Sequence, residues 1–147
     1  MSGITLLVED PKWRTHRGLA ARLTSAAEAA RKAARLKGGF TILLAGDRKL
    51  RALNHNFRGK DKPTNVLSFP GADGYAGDIA LAYGATKKEA KAAGKTMINH
   101  ATHLVVHGVL HLAGHDHERP KQARAMEGLE VKILGRLGIA DPYAAQP

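Results

Sequence analysis

This chain has no cysteine, which excludes both a disulfide framework and a thiolate metal site. Histidine and carboxylate are then the strong metal ligands left to it. Aromatic residues are scarce, at 5%, so no stacking platform for single-stranded nucleic acid is evident. No apolar run approaches the ~20 residues that a membrane-spanning helix needs. The opening stretch MSGITLLVEDPKW has neither a basic start nor a long apolar segment. Neither a signal peptide nor a membrane partner is expected, and the cytoplasm is the expected location. Acids are in short supply too: 13 Asp and Glu face 23 Lys and Arg, leaving a formal net charge of +10 on 147 residues. A surplus of that size points to a polyanionic partner. The cations fall in runs: Arg31, Lys32, Arg35 and Lys37; Arg48, Lys49 and Arg51; Arg58, Lys60 and Lys62; Lys87, Lys88, Lys91 and Lys95. Each run by itself is an ordinary solvated helix face or loop. Their sum favours RNA, DNA or a ribosome surface over a neutral metabolite.

What is present suffices for one core. The length and a hydrophobic fraction of 44% fit a single globular domain. Residues 4–9 predict a strand ended near Pro11, and 15–36 a helix with Leu19, Leu23, Ala26, Ala30 and Ala33 on its inner face. A second apolar strand covers 40–46, and Asp47 is placed to cap a short helix over 48–57. Residues 59–64 read as a loop, 65–70 as a third strand, 71–77 as a turn-rich link and 77–83 as a fourth strand. Helices are expected over 85–93, from about Thr96 to Leu112, and over about 119–137. No internal repeat or linker interrupts the chain. Four strands mixed with helices give an α+β class. We take 1–140 as one domain and 141–147 as a frayed tail.

One stretch stands out. HGVLHLAGHDH, residues 107–117, holds four of the eight histidines. On a helix, His107 and His111 lie on one face, one turn apart, and can aim their rings at one ion. Gly114 can take the left-handed conformation that ends a helix, and the turned chain can bring His117 back over the same point. Three imidazoles with one open position make the catalytic kind of zinc site. The H-x3-H-x2-G-x2-H spacing resembles that of metzincin proteases. Those carry glutamate after the first histidine as general base, where this chain has Gly108. That glycine either admits a close approach by substrate or lets a neighbouring element pack tightly, and without the carboxylate a peptidase is a minor alternative. His100 and His103 continue the same helix face; packing or hydrogen bonding suits them better than ligation, with His103 suited to support a ligand from behind. His115 projects from the turn toward solvent or substrate, and Asp116 reads best as a cap. His16 and His55 carry no argument. A phosphodiester also needs a donor for its developing charge. Arg58 in LNHNFRGKDKPTNVLSFP is the candidate, although position alone leaves it a basic surface residue. For a general acid, Asp78 and His115 are weak candidates, and a structural role at a strand end suits Asp78 better.

Together, RGKDKPTNVLSFP (58–70), GDIALAY (77–83), HLVVHGVLHLAGHDH (103–117) and MEGLEVKILGRLG (126–138) resemble the YbeY family of bacterial rRNA maturation factors and metal-dependent endoribonucleases. The resemblance covers nearly the whole chain, with the N-terminal third matching only in pattern. It implies an α+β fold with a small mixed sheet of about four strands flanked by helices, the metal site at the end of a central helix. It implies one zinc ion on His107, His111 and His117, and a functional arginine at Arg58 in a basic cleft beside it. The implied activity is cleavage of single-stranded RNA, in maturation of the 3′ end of small-subunit rRNA and in ribosome quality control. RNA of the small ribosomal subunit is the implied partner, with ribosomal proteins and assembly GTPases around it and no DNA. One departure is His115, where many members carry Tyr. The other reading is an assembly factor that binds RNA and the ribosome with a mainly structural metal.

Overall fold

In a computed structural model of the chain, residues 3–59 and 64–144 are described, the side chain of Arg58 excepted. Part of the loop expected over 59–64, with Lys60 and Lys62, lies outside the described residues. In order the elements are β1 (Ile4–Val8), a 3-10 turn (Pro11–Thr15), α1 (Leu19–Ala34), β2 (Gly39–Ala45), α2 (Asp47–Arg58), β3 (Val66–Pro70), β4 (Tyr75–Ala82), α3 (Tyr83–Ala92), α4 (Met97–Leu112) and α5 (Pro120–Arg136). The sheet runs β1-β2-β4-β3. β1, β2 and β4 are parallel, and β3 returns antiparallel along β4, with Ser68 opposite Ile79. This is the α+β class that the sequence predicts, with the mixed four-stranded sheet that the resemblance implies.

The sheet sorts its residues by alternation. Phe40, Ile42 and Leu44 of β2, with Ile79 and Leu81 of β4, form one buried layer against Leu19 and Leu23 of α1 and Val105, Val109 and Leu110 of α4. The opposite face carries a smaller cluster of Leu50, Leu67, Ala80 and Ala82 under α2. α4 is apolar on most of its circumference, with Ala101, Leu104, Val105, Val106, Gly108, Val109 and Leu110 all buried. A helix of that kind belongs inside a domain, and α4 lies between the sheet, α1, α3 and α5. Full burial of each Leu or Val side chain contributes roughly 1.5–3 kcal/mol, so α4 and the histidines it carries are held by the main hydrophobic core.

Gly108 is where α4 comes closest to the sheet. A Cβ built there would stand 2.8 Å from Cγ2 of Ile79 and 3.2 Å from Oγ of Ser68. The Ser68 hydroxyl donates to the Gly108 carbonyl at 3.1 Å. Of the two readings of this glycine, close packing against a neighbouring strand is the one the fold realises.

Three local expectations change. The helix expected from residue 15 starts at Leu19, because Gly18 takes φ +81 and separates it from the 3-10 turn. Ala33, expected on its inner face, is exposed, and Ala27 is buried instead. Asp47 does not cap its own helix: Gly46 occupies the N-cap of α2, and the Asp47 carboxylate accepts the backbone N–H of Ala85 at 2.9 Å, in the first turn of α3. At α4 the expected start holds, with Thr96 accepting from the Asn99 N–H at 3.1 Å.

Candidate metal centre

His107 and His111 sit one turn apart in the last two turns of α4, ring centroids 4.6 Å apart. Their Nε2 atoms lie 3.0 Å from one another. The helix then stops: Gly114, at φ +95, takes the left-handed conformation that closes a C-terminus, and the His115 N–H donates back to the Leu110 carbonyl at 3.0 Å. Asp116 fixes the following turn, its Oδ1 accepting from the N–H of His117 at 2.6 Å and of Glu118 at 3.0 Å. The chain thus returns His117 to the end of the helix, its ring centroid 5.5 Å from that of His107 and 4.9 Å from that of His111. One nitrogen from each of the three lies within 4.8 Å of the others.

That geometry fits a metal ion. A tetrahedral site with metal–nitrogen bonds near 2.0–2.1 Å places its ligand nitrogens about 3.3 Å apart. The His107–His111 pair is already close to that spacing, and the exposed His117 is free to close the rest. Two unprotonated imidazole nitrogens facing each other at 3.0 Å repel unless a proton or a cation stands between them.

Glu130 of α5 accounts for the orientation of His107. Its Oε2 accepts from His107 Nδ1–H at 2.8 Å, so the Nε2 lone pair points to the site. His103 Nε2 stands 3.4 Å from the same oxygen, and the hydroxyl of Tyr143 donates to Oε1 at 2.5 Å. Glu130 is 0% exposed. Burial pushes its carboxyl up, but the hydrogen bonds from His103, His107 and Tyr143 outweigh burial and hold it at about 2. Burial, with the Glu130 carboxylate beside it, pushes the Tyr143 hydroxyl far above the ordinary phenol value, so it is a donor at any working pH. Glu130 was not anticipated from the sequence. The signal was there: Met126, Glu130, Ile133 and Leu134 form the buried stripe of α5, and an acid on such a stripe needs a partner.

The three histidines line one side of a cavity of about 390 Å³, with Asn65, Val66, Ser68 and Pro70 on the other. Asn65 is fixed twice: its Oδ1 accepts the Val66 N–H at 2.7 Å and its Nδ2 donates to Glu89 at 2.9 Å. Glu89 in turn pairs with His100 at 2.8 Å, which ties the edge strand β3 to α3 and α4. His100 is therefore structural. His115 is half-buried on the turn. Asp78 is on the other side of the sheet: Ile79 meets α4, so Asp78 turns away into an apolar groove with Leu7, Thr41, Leu43 and Leu53, where it accepts from the Tyr75 hydroxyl at 2.5 Å. It is not available as a general acid at the histidine cavity. Arg58 is the last residue of α2, and its side chain lies outside the described part of the structure. Position 108, where a metzincin carries its glutamate, has no room for a side chain, a Cβ there standing 2.8 Å from Ile79 and 3.2 Å from Ser68, so the likeness to metzincins ends at the ligand spacing.

This small α+β domain brings together three imidazoles from one helix and its C-terminal turn, a group that could hold a metal ion, and among the described residues no other such group of histidine and carboxylate side chains occurs. Comparison with known proteins gives the family. The family model for endoribonuclease YbeY matches residues 9–138. The chain is 53% identical to the endoribonuclease YbeY of Chelativorans sp. (strain BNC1), over 87% of this chain and 83% of that one. It is 43% identical to that of Maricaulis maris (strain MCS10), over 97% and 92%. The chain belongs to the endoribonuclease YbeY family. The solution structure of TM1509 from Thermotoga maritima shares the fold, with a TM-score of 0.62 at 24% identity over 98% of this chain and 97% of that one.

Proposed function

We propose that this protein is a zinc-dependent endoribonuclease that cuts single-stranded RNA in the cytoplasm, maturing the 3′ end of small-subunit rRNA and serving ribosome quality control. Its partners are then the small ribosomal subunit with its proteins and assembly GTPases. The observation that carries the proposal is the set of three imidazole nitrogens within 4.8 Å of one another at the edge of an open cavity. A zinc ion held there would supply Lewis acidity and activate water near neutral pH. His107, His111 and His117 would hold the ion, and Glu130 keeps His107 aimed. Arg58 would hold the scissile phosphate with its planar fork of donors and balance the charge that develops there. The net charge of +10 draws a polyanion to the surface. Three ligands, with no fourth among the described residues, favour catalysis over a structural metal, which is normally closed by four protein ligands.

The Arg58→Ala variant separates this reading from that of a binding factor. For an enzyme, turnover should fall by about 10²–10³, the usual cost of losing one donor to a developing oxyanion, with zinc content and melting temperature unchanged. A pure assembly factor would lose affinity for RNA and nothing else. The product ends distinguish the route: a 2′,3′-cyclic phosphate shows attack by the RNA 2′-OH, a free 3′-phosphate or 3′-hydroxyl as first product shows attack by water.

A further inference from the structure

Through residue 144 the segment behind α5 stays on the domain. Gly138, at φ +77, reverses the chain, and the Ile139 N–H donates to the Leu134 carbonyl at 2.9 Å while the Ile139 side chain packs on the main core. Asp141 and Pro142 then build a tight turn. The Asp141 carboxylate accepts the Tyr143 N–H at 2.8 Å, and its carbonyl accepts the Ala144 N–H at 3.3 Å. The product of this turn is the placement of one side chain. The ring of Tyr143 meets that of His103 edge to face, centroids 5.5 Å apart at 89°. Its hydroxyl reaches Oε1 of Glu130 at 2.5 Å and stands 3.2 Å from Nε2 of His103. Tyr143 as a whole is 44% exposed, so its packing is peripheral while its hydroxyl touches a fully buried carboxylate.

We infer that Tyr143 is a positioning residue of the metal centre: by holding Oε1 of Glu130 it fixes the carboxylate that orients His107. The inference rests on the metal reading above. Glu130 has two oxygens, and the donors are divided between them. His107 and His103 address Oε2; Tyr143 addresses Oε1. A carboxylate held at both oxygens cannot turn about its own axis, whereas one held at Oε2 alone can. Once it turns, the 2.8 Å bond to His107 Nδ1 loses its direction, and so does the lone pair on Nε2. Donors of this kind behind a ligand are usually worth 10–100-fold in metal affinity. The segment expected to fray from residue 141 is, through residue 144, the support that the ligand set leans on; residues 145–147 lie outside the described part.

The test is zinc affinity of the full-length protein, measured by competition with a chromophoric chelator at 25 °C, where every variant is folded. Tyr143→Phe keeps the ring against His103 and removes only the hydroxyl. It should bind zinc about tenfold more weakly. A chain ended after residue 140 should lose the same factor. Glu130→Gln should lose more, and adding Tyr143→Phe to it should cost nothing further, since the hydroxyl acts through that carboxylate. A residue that only stabilises the fold would lower the melting temperature and leave the zinc affinity of the folded protein where it was. Wild-type affinity in Tyr143→Phe, or a loss that adds in full to that of Glu130→Gln, would overturn the inference. A wild-type protein that takes up no zinc would overturn the metal reading itself, and the inference with it.

Discussion

Replacing Gly108 with alanine probes the contact that sets α4 against the sheet. The new Cβ would meet Cγ2 of Ile79 at 2.8 Å and Cδ1 of the same residue at 3.3 Å, where carbon atoms pack at about 3.5–4.0 Å. Something must move by roughly 0.7 Å or more. Ile79 is 0% exposed, is β-branched and therefore stiff at χ1, and sits on β4 between β2 and β3, so it cannot yield alone. Overpacking of this kind costs about 1–3 kcal/mol. Alanine recovers about 1 kcal/mol through its better helix propensity. The balance is a loss of about 0–2 kcal/mol, or up to about 8 °C in melting temperature for a domain of this size. Urea unfolding of the metal-free protein reads it directly. Ile79→Ala alone should cost about 2–4 kcal/mol by leaving a cavity. In the double variant the clash with Ile79 is gone, so the combined loss should fall short of the sum by about 1–3 kcal/mol. Strict additivity, or a Gly108→Ala protein more stable than wild type, would show that the helix does not rest on Ile79 as described.

Other outcomes follow from the same contacts. Glu130 is held at about 2 in the folded protein against an ordinary value of 4.5, so its contribution to stability is complete above pH ~4.5 and is lost as pH falls toward ~2. Metal-free wild type should therefore lose on the order of 3 kcal/mol more than Glu130→Gln between pH 5 and pH 2, read from urea midpoints; parallel pH curves would contradict the buried hydrogen-bonded carboxylate. Asp47→Ala should cost about 1 kcal/mol by removing the cap that α2 lends to α3, and an unchanged urea midpoint would mean that the 2.9 Å bond to Ala85 contributes nothing. RNA affinity should fall steeply and log-linearly with salt concentration; a flat response would detach the basic surplus from substrate binding.

Much of the fold was legible because its elements announce themselves locally. The alternating apolar runs of β2 and β4 and the Thr96 cap of α4 are period and cap signals that need no tertiary information. The histidine trio was legible for the same reason: i, i+4 spacing and a helix-ending glycine are local geometry. What escaped is long-range. Asp47 looks like a cap for the helix it begins, and only the fold reveals Ala85 as its partner. Glu130 is 13 residues beyond His117 in the chain and meets His107 only because α5 folds back on α4. Tyr143 sits in a tail whose composition suggests fraying, and the bond from its hydroxyl to Glu130 is one that no periodicity encodes. Asp78 was read from its neighbourhood in the chain, while strand alternation, fixed by Ile79 against Gly108, turns it to the far face of the sheet.

The most direct measurement is cleavage of a labelled rRNA fragment spanning the immature 3′ end of the small-subunit RNA, with wild type and His107→Ala purified side by side and zinc content determined for both. The account predicts cutting by zinc-loaded wild type, loss of cutting on chelation with recovery on added zinc, and no cutting by His107→Ala. Equal cutting by the two proteins, or cutting indifferent to chelation, would contradict it.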